Sequence, residues 1–496
     1  MKKLHKFSTT IEAIPFSIAI FTILLFQKTS PILSGGEEQY LAYAKQAMNP
    51  EWIKNSFTLT EKPGSRLLFQ WIVGTCLKYL SFESFTVIAR ILNYLLYAIA
   101  LGQLFKKLQF PKLWTLLVFQ LYILGKQSFF AGEWIFESFE PKTLAYACLF
   151  FALNTLLDRK IFVSALLLAI GTYFHFLVTG WFVICLGIYW IIKKEWKLLL
   201  PFCTWFLLQI TPLTIYMYET ILKHSSHFIN GINLDWIYCY GRLYHHLGIA
   251  ISWDYFLSKQ LPGIVMAMFI LFVLVKFKNR IKELDFFRSI SVIAIILSLF
   301  FVVVALYDSF ILNQYALFPL KTYPFRPMAL AQLFSYLILG VYLSKRVTHR
   351  TTAPLLSLIL IVLFVAQTIK NYEFYTNYKA KTDSFSEMAT YIKTNTNPES
   401  VFHLENLHHP IPETFIRITE REALYVHKFT PADSEKMYQR YMITNDIGGM
   451  LSGTNHVIDL QKKYHLDYIV SEGSCNVKDL QLIANFNNFF LYQFKK

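Results

Sequence analysis

RLLFQWIVGTCLKYL, residues 66–80, is the stretch on which the threading of this chain turns. It is apolar enough to enter a bilayer, and if it crossed, every basic loop after it would change sides. Further apolar runs recur near 11–26, 84–105, 112–125, 142–157, 161–176, 177–192, 198–218, 261–275, 289–306, 327–343 and 352–369. The alternate connections between these runs are the N-terminus, KKLQFPK, DRK, KKEWK, KFKNRIKELDFFR and SKRVTHR. They hold 19 of the 47 basic residues and only 4 of the 32 acidic ones, so the whole net charge of +15 lies in them. Basic loops stay cytoplasmic, and the pattern is consistent only if 66–80 does not cross. That segment is therefore read as interfacial or re-entrant, which leaves about 11 spans and a cytoplasmic N-terminus.

Composition agrees. Of the 496 residues, 55% are hydrophobic, 17% aromatic and 16% charged, against about 25% charged in a soluble domain. Mean hydropathy is +0.39. These values indicate a polytopic helical membrane protein, and the location of the basic excess makes it an orientation signal and not a nucleic-acid footprint. The N-terminus, with its basic flank and no small-residue cleavage site, reads as a retained signal-anchor. Four of the six cysteines lie in or beside apolar runs; Cys239 and Cys475 are the two that could pair.

The topology places loops 27–83, 125–142, 219–260 and 307–326 on the non-cytoplasmic face, together with everything after residue 370. The tail carries both charge signs and mixes strand-like alternation (SVFHLE, LDYIVSE, FFLYQF) with helical patterns. The expected division is a membrane part, 1–370, and a small soluble α/β part, 371–496.

On that outer face, SGGEEQYL sets Glu37 and Glu38 just past the first span. A carboxylate there could accept a hydroxyl proton if its surroundings raised its pKa, or it could be an ordinary solvated loop residue. EWIFESFEPK supplies Glu133, Glu137, Glu140 and Lys142, suited to a sugar's hydroxyls or a divalent cation (Mg or Mn), or to a capped helix start with Pro141 in its first turn. Arg66, Arg90, His175 and Arg326 stand at the outer ends of apolar segments. Ionisable groups at such depth usually face a cavity, and arginine's planar fork suits phosphate. Metal ligation by His224, His227, His245 and His246 lacks a diagnostic spacing.

The first span followed by a loop with paired acidic residues, the many further spans and the soluble C-terminal part resemble the GT-C glycosyltransferases. More closely, FESFEPKTLAYACLFFALNTLL, TYFHFLVTGW, ATYIKTNTNPESVF, RITEREALYVHKFTP and KKYHLDYIV are similar to a bacterial family of multi-pass proteins, of unassigned activity, grouped with that superfamily. The resemblance implies transfer of a sugar from a polyprenyl-phosphate-linked donor to a glycan, lipid or protein acceptor outside the plasma (bacterial inner) membrane. It carries Glu37 and Glu38 over as base or metal ligand, and Glu140, Lys142, His175, Arg326, Arg417, Arg421 and Lys428 as recurrent positions without a role. Many GT-C enzymes have aspartate where this chain has glutamate. A transporter or flippase of an anionic or lipid-linked solute, or a non-catalytic assembly partner, would use similar residues. The absence of a visible repeat, and charges gathered at one side and not at mid-membrane, favour the transferase.

Overall fold

The computed structural model describes residues 16–495 except 55, 60–63, 225, 277–283, 348–351, 430, 432, 448–456 and 475–478. Cys475, and with it the Cys239–Cys475 pairing, lies outside the described residues, as does most of the N-terminal basic flank.

Each predicted span falls on a helix. The helices are α1 (Phe16–Lys28), α2 (Gly35–Met48), α3 (Leu67–Cys76), α4 (Phe82–Lys107), α5 (Lys112–Leu124), α6 (Pro141–Leu157), α7 (Ile161–Phe174), α8 (Phe176–Lys193) and α9 (Trp196–Thr220). They continue with α10 (Leu261–Lys276), α11 (Asp285–Phe310), α12 (Met328–Arg346) and α13 (Thr352–Asn395). Seven helical stretches among the described residues are long and apolar enough to cross a membrane: α4, α8, α9, Trp253–Lys276, α11, α12 and α13. α1, α5, α6 and α7 are apolar but shorter. The protein is thus mainly α and integral to a membrane. α3 has ten residues, about 15 Å at 1.5 Å per residue, half the thickness of the hydrocarbon core.

The chain divides into two compact units. The first comprises 1–29, 88–216 and 235–371; the second comprises 30–87, 217–234 and 372–496. The second unit therefore takes in the segment after α1 as well as the tail.

Within the first unit, the apolar stretch 161–192 breaks at His175, whose extended backbone ends α7 and starts α8. The two helices touch closely at Gly171, where a Cβ would lie 2.7 Å from Thr179 Cγ2. Loop 125–140 is largely buried, so its backbone polar groups must be satisfied internally. The Gln127 carboxamide does much of this: Oε1 accepts from the N–H groups of Ile135 and Phe136, at 2.9 and 2.8 Å, while Nε2 donates to the Phe136 carbonyl at 2.9 Å. The Tyr97 hydroxyl serves the carbonyls of Ile135 and Thr143, and Gln260 Oε1 accepts from Ala131 N–H. α10 comes so near this loop that a Cβ on Gly263 would stand 1.7 Å from the Phe129 carbonyl oxygen.

In the second unit, five strands follow α13: β1 (Val401–Glu405), β2 (Glu422–Ala423), β3 (Tyr468–Glu472), β4 (Leu480–Phe486) and β5 (Phe489–Phe494). Their order is β2-β1-β3-β5-β4. β1 is parallel to β2 and β3; β5 is antiparallel to β3 and β4. Helices α14 (Ile411–Thr419), α15 (Ser434–Ile447) and α16 (Val457–Tyr464) supply the connections. Phe385 of α13 packs edge-on to Phe489, and Phe402 lies against Phe415 of α14. A second apolar cluster gathers Leu424, Ile443, Ile447, Leu460 and Ile469. α2 and α3 meet backbone to backbone at Gly74, where a Cβ would lie 2.1 Å from the Ala44 carbonyl oxygen.

Gly263→Ala tests the packing in the first unit. Overpacking against backbone should cost at least the usual 1–3 kcal/mol or so and lower the Tm of the detergent-solubilised protein. Gly180→Ala, where an added Cβ meets nothing within 4 Å, should leave Tm unchanged or raise it through helix propensity.

Candidate active site

The helix after the first span begins at Gly35, with Ser34 as its cap. Ser34 N–H donates to Glu37 Oε2 at 2.8 Å, and Glu37 N–H donates to Ser34 Oγ at 3.3 Å, a reciprocal capping box. Serine at the cap with glutamate three residues on is the sequence signature of that arrangement. Glu37 is buried in this role. Glu38, one position along, points elsewhere and meets Arg417 of α14.

That meeting is built from several short contacts. Arg417 Nε lies 2.8 Å from Glu38 Oε2 and 3.1 Å from Oε1, and Nη2 lies 2.9 Å from Oε1. The remaining arm, Nη1, pairs with Glu83 in the first turn of α4. The Glu38 side chain is 0% exposed, that of Arg417 13% and that of Glu83 52%. Burial pushes the Glu38 carboxyl up to about 7, opposed by Arg417 and assisted by Glu83 and Glu37. A bidentate guanidinium contact of this kind fixes a carboxylate's orientation as well as its charge. The Tyr378 hydroxyl, pushed upward by burial and the nearby carboxylates, donates to the Leu33 carbonyl at 3.0 Å.

Other candidates in this unit have evident structural partners. Arg66 lies 5.3 Å from the centre of the Tyr40 ring. Lys428 reaches the start of α2, where its side chain neighbours Gly35. Arg421 donates to the carbonyls of Lys393, Thr396, Thr419 and Glu420 and to Thr396 Oγ1, thereby closing the ends of α13 and α14. Burial lowers its pKa against the pull of Glu420.

The first unit holds a separate group. Arg326 Nη1 pairs with the buried Glu133 at 2.8 Å, and its guanidinium lies 4.7 Å from the Tyr323 ring centre. Glu133 also faces His246 Nδ1 at 3.5 Å, and that nitrogen stands 2.8 Å from the Ala131 carbonyl. Lys142 sits over the Trp134 ring, 3.4 Å from its centre, with Glu140 at 3.9 Å. Glu140 caps α6 and accepts from Ser138 Oγ at 3.2 Å. Glu137 pairs loosely with Lys28, at 3.8 Å. Arg90 is buried on α4, and His175 is half-buried at the α7–α8 break. The His245 and His246 rings lie 4.1 Å apart. No group of three or more His, Cys, Asp or Glu able to hold a metal occurs among the described residues.

Neither a protein-family model nor a curated protein matches the chain. Among solved structures, it is similar to ArnT from Cupriavidus metallidurans bound to undecaprenyl phosphate, with 13% identity over 96% of each chain and a TM-score of 0.39. A likeness at that score carries no argument about activity. The chemistry has to be argued from the residues.

The sequence singles out Glu37 and Glu38 by their place after the first span, and the family resemblance adds Arg417, but neither points to Glu83. It lies in SFESF at the start of an apolar run and looks like an ordinary helix-start acid. Nothing in sequence spacing connects residue 83 with residue 417.

Two measurements follow from this geometry. The raised Glu38 pKa means that the folded state holds its proton more tightly than the unfolded chain. The associated stability is present below about pH 4.5 and is lost as pH rises through about 7. The Tm difference between wild type and Glu38→Gln should therefore move against wild type across that window. Arg417→Gln leaves Glu38 buried without its partner and should cost about 3–5 kcal/mol. The double substitution Glu38→Gln/Arg417→Gln should recover much of that loss, a coupling readable in a double-mutant cycle.

Proposed function

We propose that this chain is a membrane transferase that moves a sugar from a polyprenyl-phosphate-linked donor to an acceptor hydroxyl on the outer face of the membrane. Glu38 acts as the base and Arg417 holds it in place. The donor class and the outer-face chemistry come from the resemblance of the first loop and tail to GT-C enzymes and from the bias of the basic loops. The observation that carries the residue assignment is the buried, bidentate Glu38–Arg417 contact, with a carboxyl held near neutrality. A base with a pKa close to working pH combines adequate ionisation with adequate proton affinity.

In the transfer, the acceptor oxygen forms a bond to the anomeric carbon while the bond from that carbon to the phosphate oxygen breaks. The acceptor proton goes to Glu38, and the electron pair leaves with the lipid phosphate. A guanidinium beside that phosphate stabilises the charge as it develops, a role proposed for Arg417 and Arg66. The pairing of Arg326 with Glu133 favours a role in holding loop 125–140 over direct contact with phosphate.

Mass spectrometry of lipid-linked and surface glycans, comparing host cells with and without the gene, tests the assignment. Deletion should remove or truncate one glycan, and wild type should restore it. Glu38→Gln at equal abundance should not. Glu37→Gln should restore it, because glutamine serves a capping box as glutamate does. Unchanged glycans under conditions of expression would reject the transferase reading and favour transport or scaffolding.

A further inference from the structure

Arg417 does not divide its guanidinium evenly. Its inner edge, Nε and Nη2, makes three contacts with a carboxylate that has no exposure, whereas its outer arm, Nη1, meets Glu83, which is half in water. An ion pair weakens as its carboxylate becomes solvated, so the outer contact, to half-exposed Glu83, exchanges more readily than the inner one. Glu83 also loses little on release, because an acidic side chain in the first turn of α4 remains favoured by the helix dipole. The site thus has one fixed anion and one replaceable anion on a single guanidinium.

We infer that Glu83 is an internal stand-in for a phosphate, and that the Nη1 arm of Arg417 docks the phosphate of a lipid-linked ligand while the inner edge stays on Glu38. The inference rests on the function proposed above and assigns the phosphate a place within it. The charge balance suits the exchange: a lipid phosphodiester that carries a sugar has one negative charge, as Glu83 has. Arginine's fork pairs with phosphate oxygens as it does with carboxylate oxygens. The exchange brings the leaving phosphate and the Glu38 carboxylate onto opposite sides of one planar group, which is the ordering of reactants that a transfer requires.

The test is the dissociation constant of the full-length, detergent-solubilised chain for two probes, inorganic phosphate and farnesyl phosphate, measured by calorimetry. Glu83→Gln removes the internal competitor and should bind farnesyl phosphate about tenfold more tightly than wild type. Glu399→Gln, which removes an exposed carboxylate elsewhere in the same unit, should change nothing. The double variant Glu38→Gln/Arg417→Gln, which leaves no stranded buried carboxylate, should bind at least tenfold more weakly than wild type. A gain for both probes in Glu83→Gln supports docking through the headgroup alone, and a gain for farnesyl phosphate only supports docking that also needs the lipid. A gain confined to inorganic phosphate, equal affinities for Glu83→Gln and wild type, or undiminished binding by the double variant would each overturn the inference. Neither probe carries a sugar, so normal exchange in a protein without a glycan phenotype would reject the transferase reading alone.

Discussion

A charge removed from water must find a partner, give up its ionisation or destabilise the fold, and much of the polar architecture described above follows from that constraint. Glu38 is the clearest case. It has no contact with solvent, yet α14 brings a guanidinium to it with two donors aimed at the same carboxylate. In the first unit, Glu133 answers the same demand through Arg326 and His246. Each ion pair ties together segments far apart in the chain, positions 38 and 417 in one unit and 133 and 326 in the other. Each therefore does structural work whatever chemistry it supports.

Backbone polarity imposes the same rule on loop 125–140. A segment without regular hydrogen bonding is stable when buried only if side chains replace the missing ladder. Gln127, Tyr97, Tyr122 and Gln260 do so, with Tyr122 shared between the carbonyls of Gln127 and Ala329. This rigid loop carries Glu133, Trp134, Glu137 and Glu140, so the residues first noticed as an acidic cluster are held individually. Glu133 is held by an arginine, Glu140 by its place at a helix start, and Glu137 by a loose contact with Lys28. The same spacing that suggested shared chemistry has resolved into three different environments.

The eleven apolar runs and the break near FHFLVTG were legible because they depend on local properties. Hydrophobic length, a helix-ending backbone at His175 and the ten-residue extent of α3 all follow from neighbouring residues. The capping box was written in Ser34 and Glu37 as well, although SGGEEQYL was first read as a loop with two equivalent carboxylates. What was not legible was the difference between those carboxylates. Adjacent residues on a helix project about 100° apart, and only the position of α14 decides that Glu38 meets Arg417 while Glu37 closes the cap. Arg417 passes over Glu420 and Glu422, its near neighbours in the chain, for the same reason. Glu420 instead pairs with Lys393, and Glu422 is buried against Ser56 and Thr58.

By itself, the sequence determined that this is a many-helix membrane protein, where its long apolar helices lie, and that a small α/β fold follows them. These features come from composition and short-range pattern, which a single chain carries in full. Tertiary structure alone decided which of two buried carboxylates meets an arginine, that Glu83 shares that arginine, and that residues 30–87 and the tail belong to one compact unit. Such facts depend on pairs separated by hundreds of residues, and burial, distance and pKa are properties of those pairs and not of either residue.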